Sequence, residues 1–424
     1  ICTILICTSF IKAKELRVPS EYPSIQSAID AAIKGDTVVV ADGVYQEGLS
    51  AHQAIRIVSE NGPDQCVING GARDQHLLQL ESIRNGRLLL EGFSFQDYYG
   101  EQIKGGICEI HNSAVDIRNC RFKNIKYETE WVPGGYLIHV SKSHVTFEDT
   151  LVSENMGTSD ILPSYTFYVE ESSLHMVDCV ISKNMKGGGL TARSSSVVLE
   201  NCVFAGNTKN RLGIGGGLSI SNSGFKMSRS MVVDNSSTFQ GGGIYISGNS
   251  WVKLGGSPDD RNIIGGNHSP SGKQIYAGHQ NHLISAQHNL FLCDKSHDEV
   301  YPFRMFDIQQ STFDKDYYFE NYFVSPTGNN TNIGITPYSP YKTITYALEK
   351  TQLHIDEVTT LKLDKGKFSP DSNNEVFPLV IPDYIHLQGE NATDTILDAE
   401  GTGSVIDLGG SISHLTVQNG LGDR

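Results

Sequence analysis

Basic side chains are scarce in this sequence. Its 424 residues carry 33 Lys and Arg against 48 Asp and Glu, a formal charge of −15. A surface of that sign repels phosphate backbones and argues against nucleic acid as a partner. It is compatible with divalent cations such as calcium or with neutral sugars, although no cofactor is required. Long apolar runs are missing too: past the first residues, nothing approaches the ~18 consecutive apolar residues that span a bilayer. The eight cysteines include no CxxC pair, so zinc ribbons and thioredoxin-like centres lack their ligands. Phosphate-loop, dinucleotide and Ser-His-Asp signatures are absent. Helical periodicity is confined to two short stretches.

What is present instead is a repeat. Residues 187–207, GGGLTARSSSVVLENCVFAGN, hold three brief apolar runs separated by a Ser194-Ser195-Ser196 turn and an Asn201-Cys202 corner, with Asn207 closing the unit. Three short strands and tight polar corners describe one turn of a coil. Asn124, Asn155, Asn184, Asn207, Asn235 and Asn267 close successive turns at intervals of 23 to 32 residues, so turn size varies while the corner persists. Stacked asparagine amides hydrogen-bond from turn to turn. Glycine pairs or triplets open the turns at residues 105–106, 134–135, 187–189, 215–217 and 241–243, where the chain bends sharply. Residues 125–133 and 156–163 lengthen individual corners into projecting loops.

Cys120, Cys179 and Cys202 precede the closing Asn by four or five residues, with Thr150 and Ser230 in the same slot elsewhere. Small buried residues in register account for them. A spacing of about 4.8 Å between stacked positions would also bring Cys179 within reach of Cys202 for a disulfide.

Residues 1–15, beginning ICTILICTSFIKA, read as a truncated secretory signal peptide; the alternative is a buried first strand. Export to the extracellular space or cell surface is the expectation. Residues 24–33 form an amphipathic helix ended by Gly35, a cap over the open apolar end of a coil.

These opening pieces resemble the entry region of pectin-lyase-like right-handed parallel β-helix proteins. The "tIqaAI" helix is Ser24-Ile25-Gln26-Ser27-Ala28-Ile29, the strand is residues 37–40, the aromatic turn is Gly43-Val44-Tyr45, and the strand pair is residues 57–70. The resemblance implies architecture more than activity. Phe204-Ala205-Gly206-Asn207 also resembles the repeats of bacterial polymorphic outer-membrane proteins.

The chain then starts again. Residues 338–350 match the first cap, with Ile344 and Ala347 each 319 residues beyond Ile25 and Ala28. Residues 322–344 resemble the opening of secreted bacterial β-helix proteins of unassigned function. The expected fold is therefore all-β: two tandem right-handed parallel β-helices with short N-terminal capping helices. The first spans residues 16–295, a linker 296–320, and the start of a second coil 321–424.

Each carbohydrate-active branch of this superfamily implies its own constellation. The cap resembles that of pectin methylesterases, whose Asp-Phe-Ile-Phe-Gly strand is absent here. Pectate lyases gather acidic residues around calcium beside an arginine, and no such cluster occurs in consecutive turns. Polygalacturonases pair aspartates and add Gly-His-Gly; Asp259, Asp260 and His279 imitate this, but Gln280 replaces the second glycine and the flanking strings are missing. A carboxylate pair must also flank a sugar at ~5–10 Å, which spacing alone does not establish. His279, His282 and His288 are the densest histidine group. Among aromatics, Tyr99, Tyr127, Trp131 and Tyr165, with Tyr98, Tyr136 and Tyr168, gather near the long corners and are the candidates for stacking on a glycan.

The reading is a secreted or surface-displayed rod that binds a polysaccharide or cell-surface glycan without catalysis. The alternatives are a polysaccharide lyase, glycoside hydrolase or esterase, and a structural spacer.

Overall fold

The computed structural model describes the chain apart from residues 1–12, 71–74, 101–105, 128–134, 159–162, 211–212, 279–283, 294–295, 297, 309, 314–320, 331, 333, 336, 338–339, 352–357 and 422–424. Most of the expected leader lies outside the described residues. Residues 15–18, at its junction with the coil, form the first strand. The chain divides into two compact units, Ile1–Lys315 and Asp316–Arg424.

The first unit is a parallel β-helix whose strands stack into sheets of 12, 11 and 10 members. One turn shows the plan. Leu190–Arg193 belongs to the 10-stranded sheet, Ser196–Glu200 to the 12-stranded sheet and Val203–Ala205 to the 11-stranded sheet. Within each strand alternate residues point into one continuous apolar core, as the two-residue side-chain period dictates. Every side chain therefore sits above its counterpart in the preceding turn.

Between strands the chain turns through a left-handed residue followed by a small buried one. Ser194, Asn201 and Gly206 have φ of 50°, 53° and 62°, and Ser195, Cys202 and Asn207 follow them, all buried. Each follower forms a ladder. Asn155, Asn184, Asn207, Asn235 and Asn267 pass hydrogen bonds through their side-chain amides at 2.8–3.1 Å, and Gln274 ends the row. A second ladder runs through Ser113, Ser143, Ser172, Ser195, Ser223 and Ser250, each hydroxyl from Ser143 onward accepting the backbone N–H of the serine one turn earlier at 3.0–3.2 Å. The third holds Cys120, Thr150, Cys179, Cys202 and Ser230. Its cysteines are free and buried, with no disulfide joining Cys179 to Cys202, and desolvation pushes the Cys179 thiol well above its ordinary value.

Asn124 departs from expectation. It is the exposed left-handed residue of its corner, φ 53°, and Ile125 occupies the ladder slot, its N–H donating to Asn155 Oδ1 at 3.0 Å. The first coil also runs further than expected. Val300–Tyr301, Phe306–Asp307 and Thr312–Phe313 pair onto its three sheets, so these strands belong to the coil and not to a linker.

The capping helix spans Ile25–Ala31, with Ser24 in a capping box. It covers the strands Glu15–Val18, Thr37–Val40 and Leu49–Ala51. The helix ends before Gly35 because Ala32 is extended and Asp36 accepts the Ile33 N–H at 2.9 Å.

The second unit builds the same device independently. Helix Ile344–Lys350 starts at Thr343 and packs on Asn321–Val324 and Leu379–Ile381, over a separate apolar core. In each copy a glutamate from outside the helix receives its first free N–H groups: Glu47 from Ile25 and Gln26 at 3.0 and 2.9 Å, Glu375 from Ile344 and Thr345 at 2.7 and 3.0 Å. A carboxylate there meets both unpaired donors and the positive end of the helix.

Candidate glycan-binding groove

The outer face of the 10-stranded sheet carries aromatic, cationic and hydroxyl side chains together. Register sets its rows. One runs Glu109, His139, Tyr168, Thr191, Ser219, Tyr245, Tyr276, Tyr301 in successive turns. The adjacent row runs Ser141, Glu170, Arg193, Ser221, Ser247.

Aromatic stacks bound the middle of these rows. Tyr136, Tyr165 and Tyr168 pack at centroid distances of 4.7–5.6 Å. On the other side Tyr245, Tyr276 and Tyr301 lie nearly parallel at 5.6 and 5.1 Å. Between Tyr168 and Tyr245 only Thr191 and Ser219 intervene, leaving an interval of three rungs, about 14 Å. A cavity of about 400 Å³ opens there, lined by Tyr165, Thr191, Arg193, Lys209, Ser219 and Ser221 among others. That volume falls within the ~300–1,000 Å³ of small-molecule sites.

Two cations sit in its wall, in opposite states. Lys209 is 5% exposed; its Nζ donates to Ser164 O at 2.8 Å and Gly187 O at 2.9 Å and stands 3.7 Å from the Tyr165 ring centre. Burial pushes its amine down to about 7, while two carbonyls and a π face hold the ammonium form. All three of its donor directions are occupied. Its burial follows from the two-residue side-chain period: Asn207 points inward, so Lys209 returns to the same side. Arg193, by contrast, is exposed, and its guanidinium has no hydrogen-bond or ion-pair partner among the described residues.

At one end of the groove His139 bridges two carboxylates. Its Nδ1 lies 2.9 and 3.0 Å from the Glu109 oxygens and its Nε2 lies 3.1 Å from Glu170 Oε1. Tyr136 stacks on the ring at 4.6 Å. Burial lowers the imidazole pKa, but the hydrogen bonds and charges of Glu109 and Glu170 outweigh it and hold the group above its ordinary 6.5.

Of the sequence candidates, Tyr165 lines the groove, and Tyr136 and Tyr168 join it. Tyr127 is buried in the core, its hydroxyl beneath Gly187 beside Thr166. Tyr99 lies on a separate three-stranded ladder with Lys126–Tyr127 and Met156–Gly157. Trp131, His279 and His282 lie outside the described residues. Asp259 and Asp260 sit in a short 3-10 turn between the 12- and 11-stranded sheets, where Asp260 accepts from Ser257 and pairs with Arg229. They do not reach the groove. No group of three or more metal-ligating side chains is placed to hold an ion among the described residues, and none of their helices is long and apolar enough to cross a membrane. His139, Glu109, Glu170 and Arg193 were not singled out from sequence.

The second unit has its own cavity of about 430 Å³ beside Phe323, Lys362, Asp364 and Gln388. Of its two acids, Asp364 is committed to Ser325 and to the Lys365 N–H, and Glu390 accepts the same N–H, which makes this cavity the weaker candidate.

A family model agrees with the coiled architecture of the first unit. Residues 105–291 match the family described as "Right handed beta helix region", and residues 326–418 match a "Protein of unknown function" family. No curated protein matches the chain. Similar solved structures include a PL6 family alginate lyase, AlyGC, at 10% identity and a TM-score of 0.25, covering 96% of this chain and 72% of that one. Another is the A-module of mannuronan C-5 epimerase AlgE6 from Azotobacter vinelandii, at 11% and 0.26, covering 94% and 93%. A third is the catalytic unit of a GH87 α-1,3-glucanase from Streptomyces thermodiastaticus, at 10% and 0.24, covering 94% and 65%.

Proposed function

We propose that the groove on the 10-stranded sheet binds a negatively charged glycan, and that the coil displays this site outside the cell without cleaving its ligand. The observation that carries the reading is Arg193. An unpaired guanidinium over a floor of Thr191, Ser219 and Ser221 hydroxyls, walled by tyrosines, suits a carboxylated or sulfated sugar. Guanidinium meets such groups with two parallel charge-assisted hydrogen bonds, and the hydroxyl floor supplies partners for sugar hydroxyls. On an acidic protein a free cation in a concave site also selects for anions locally despite the overall charge. The setting outside the cell rests on the apolar leader read from the sequence.

A second reading, cleavage of the bound glycan, is favoured by Lys209, an amine held near neutrality in the groove wall. While protonated the amine has no lone pair to act as a base, and its three donor directions are taken by Ser164 O, Gly187 O and the Tyr165 ring. A panel of acidic and neutral polysaccharides separates the readings. We expect retention of acidic chains, no new unsaturated or reducing ends, and a fall in affinity of about 10- to 100-fold for Arg193→Ala, the range for one charge-assisted contact. Product formation lost in Lys209→Met would replace binding by catalysis. No retention of any glycan would leave the spacer reading.

A further inference from the structure

We infer that Glu170 sets the selectivity of this groove by choosing between two cations, His139 in the preceding turn and Arg193 in the following one. The inference rests on the groove being the binding site.

The geometry places Glu170 at a branch point. It is in register with Ser141 on one side and Arg193 on the other. One Glu170 oxygen meets His139 Nε2 at 3.1 Å, while Arg193, one rung away, has no partner among the described residues. Both His139 nitrogens face carboxylates. A neutral imidazole has a single N–H, so holding Glu109 and Glu170 together requires the imidazolium.

Loss of that proton must release one carboxylate. Glu109 keeps the ring: both its oxygens lie at Nδ1, and it also accepts the Gly106 N–H at 2.9 Å. Nε2 then turns a lone pair toward Glu170, which is repelled and has Arg193 as its neighbouring cation. Pairing there removes the groove's free positive charge. The groove thus takes anionic ligands while His139 is charged and loses that preference when it is neutral.

The other groups around the imidazole do not substitute for either partner. On the preceding strand His111 is engaged with Ser141. Tyr136 stacks on the ring, and desolvation raises the phenols of Tyr136, Tyr165 and Tyr168 above their ordinary value. Lys209 lies beyond Tyr165 and is bound to carbonyls. The folded pKa of His139 is raised, so the stabilisation from the imidazolium is complete below about 6.5 and is lost as pH rises through the higher folded value. The transition therefore falls on the alkaline side of an ordinary histidine.

The test titrates an oligouronate and a neutral oligosaccharide of equal length into the intact chain between about pH 5.5 and about 9. Wild-type affinity for the oligouronate should fall at least about fivefold across that range, the lower limit of ordinary site coupling, with the neutral sugar unchanged. Glu170→Gln should bind the oligouronate tightly throughout, and His139→Gln weakly throughout. Tight binding without pH dependence in wild type overturns the proposal and leaves the groove reading intact.

A ligand-free measurement guards against the opposite failure. The His139 ring nitrogens, followed by NMR, should titrate at higher pH in Arg193→Ala, because Glu170 then has no competing cation. An unchanged titration overturns the proposal even if no glycan binds.

Discussion

Asn207→Leu should lower the stability of the first coil by about 2–6 kcal/mol, read as the shift in its denaturant midpoint. Asn207 has no exposed surface, and its amide serves three turns at once. The carbonyl accepts both the backbone N–H and the side-chain amide of Asn184, at 3.1 and 2.9 Å. The amide nitrogen donates to Ile181 O at 2.8 Å and Asn235 Oδ1 at 3.0 Å. Leucine is close in volume, so packing loss is small and the effect isolates the ladder. Each stranded buried group costs about 1–3 kcal/mol, and at least two lack any alternative in a dry corner. Ser196→Ala, on an exposed position eleven residues earlier, should change stability by no more than about 0.5 kcal/mol. Equal shifts for the two variants would remove the ladder from the account.

Lys209→Ala should cost about 2–4 kcal/mol, combining a cavity with the loss of the donor to two buried carbonyls. Lys209→Met should cost less, because the methionine refills the volume and a buried charge no longer has to be desolvated. That order, Ala worse than Met and Met worse than wild type, distinguishes a structural lysine from a surface one. A surface lysine would give two silent variants. Thermal unfolding of the three proteins side by side decides it, and if Met proves as stable as wild type the carbonyl contacts contribute nothing net.

The coil was legible because its requirements are local. A left-handed corner wants Gly, Asn or a small polar residue, and the strands between want alternation, so residues 187–207 announce one turn without reference to any other. The serine ladder was equally visible, as a serine before the strand at residues 113, 143, 172, 195 and 223, yet serine is common enough in turns that its register escaped notice. The one-residue error at Asn124 has the same origin: left-handed and ladder positions both favour asparagine, and Ile125 hides the ladder in that turn.

The groove was not legible. Glu109, His139, Glu170 and Arg193 are separated by 23 to 31 residues and meet only because each lies at a matching point of a turn. Loop insertions make the turns unequal, so sequence spacing does not reveal which side chains stack. Conversely, Asp259 and Asp260 imitated a catalytic pair because adjacency in sequence is easily seen, whereas the coil puts them at a corner between the other two sheets.

Calorimetric titration of an oligouronate into the wild-type chain and Arg193→Ala, at low and moderate salt, tests the central claim most directly. The account predicts saturable binding by wild type, weakened by salt, with Arg193→Ala at least about tenfold weaker and less salt-sensitive. Equal affinity in the two proteins, or binding by neither, would contradict it.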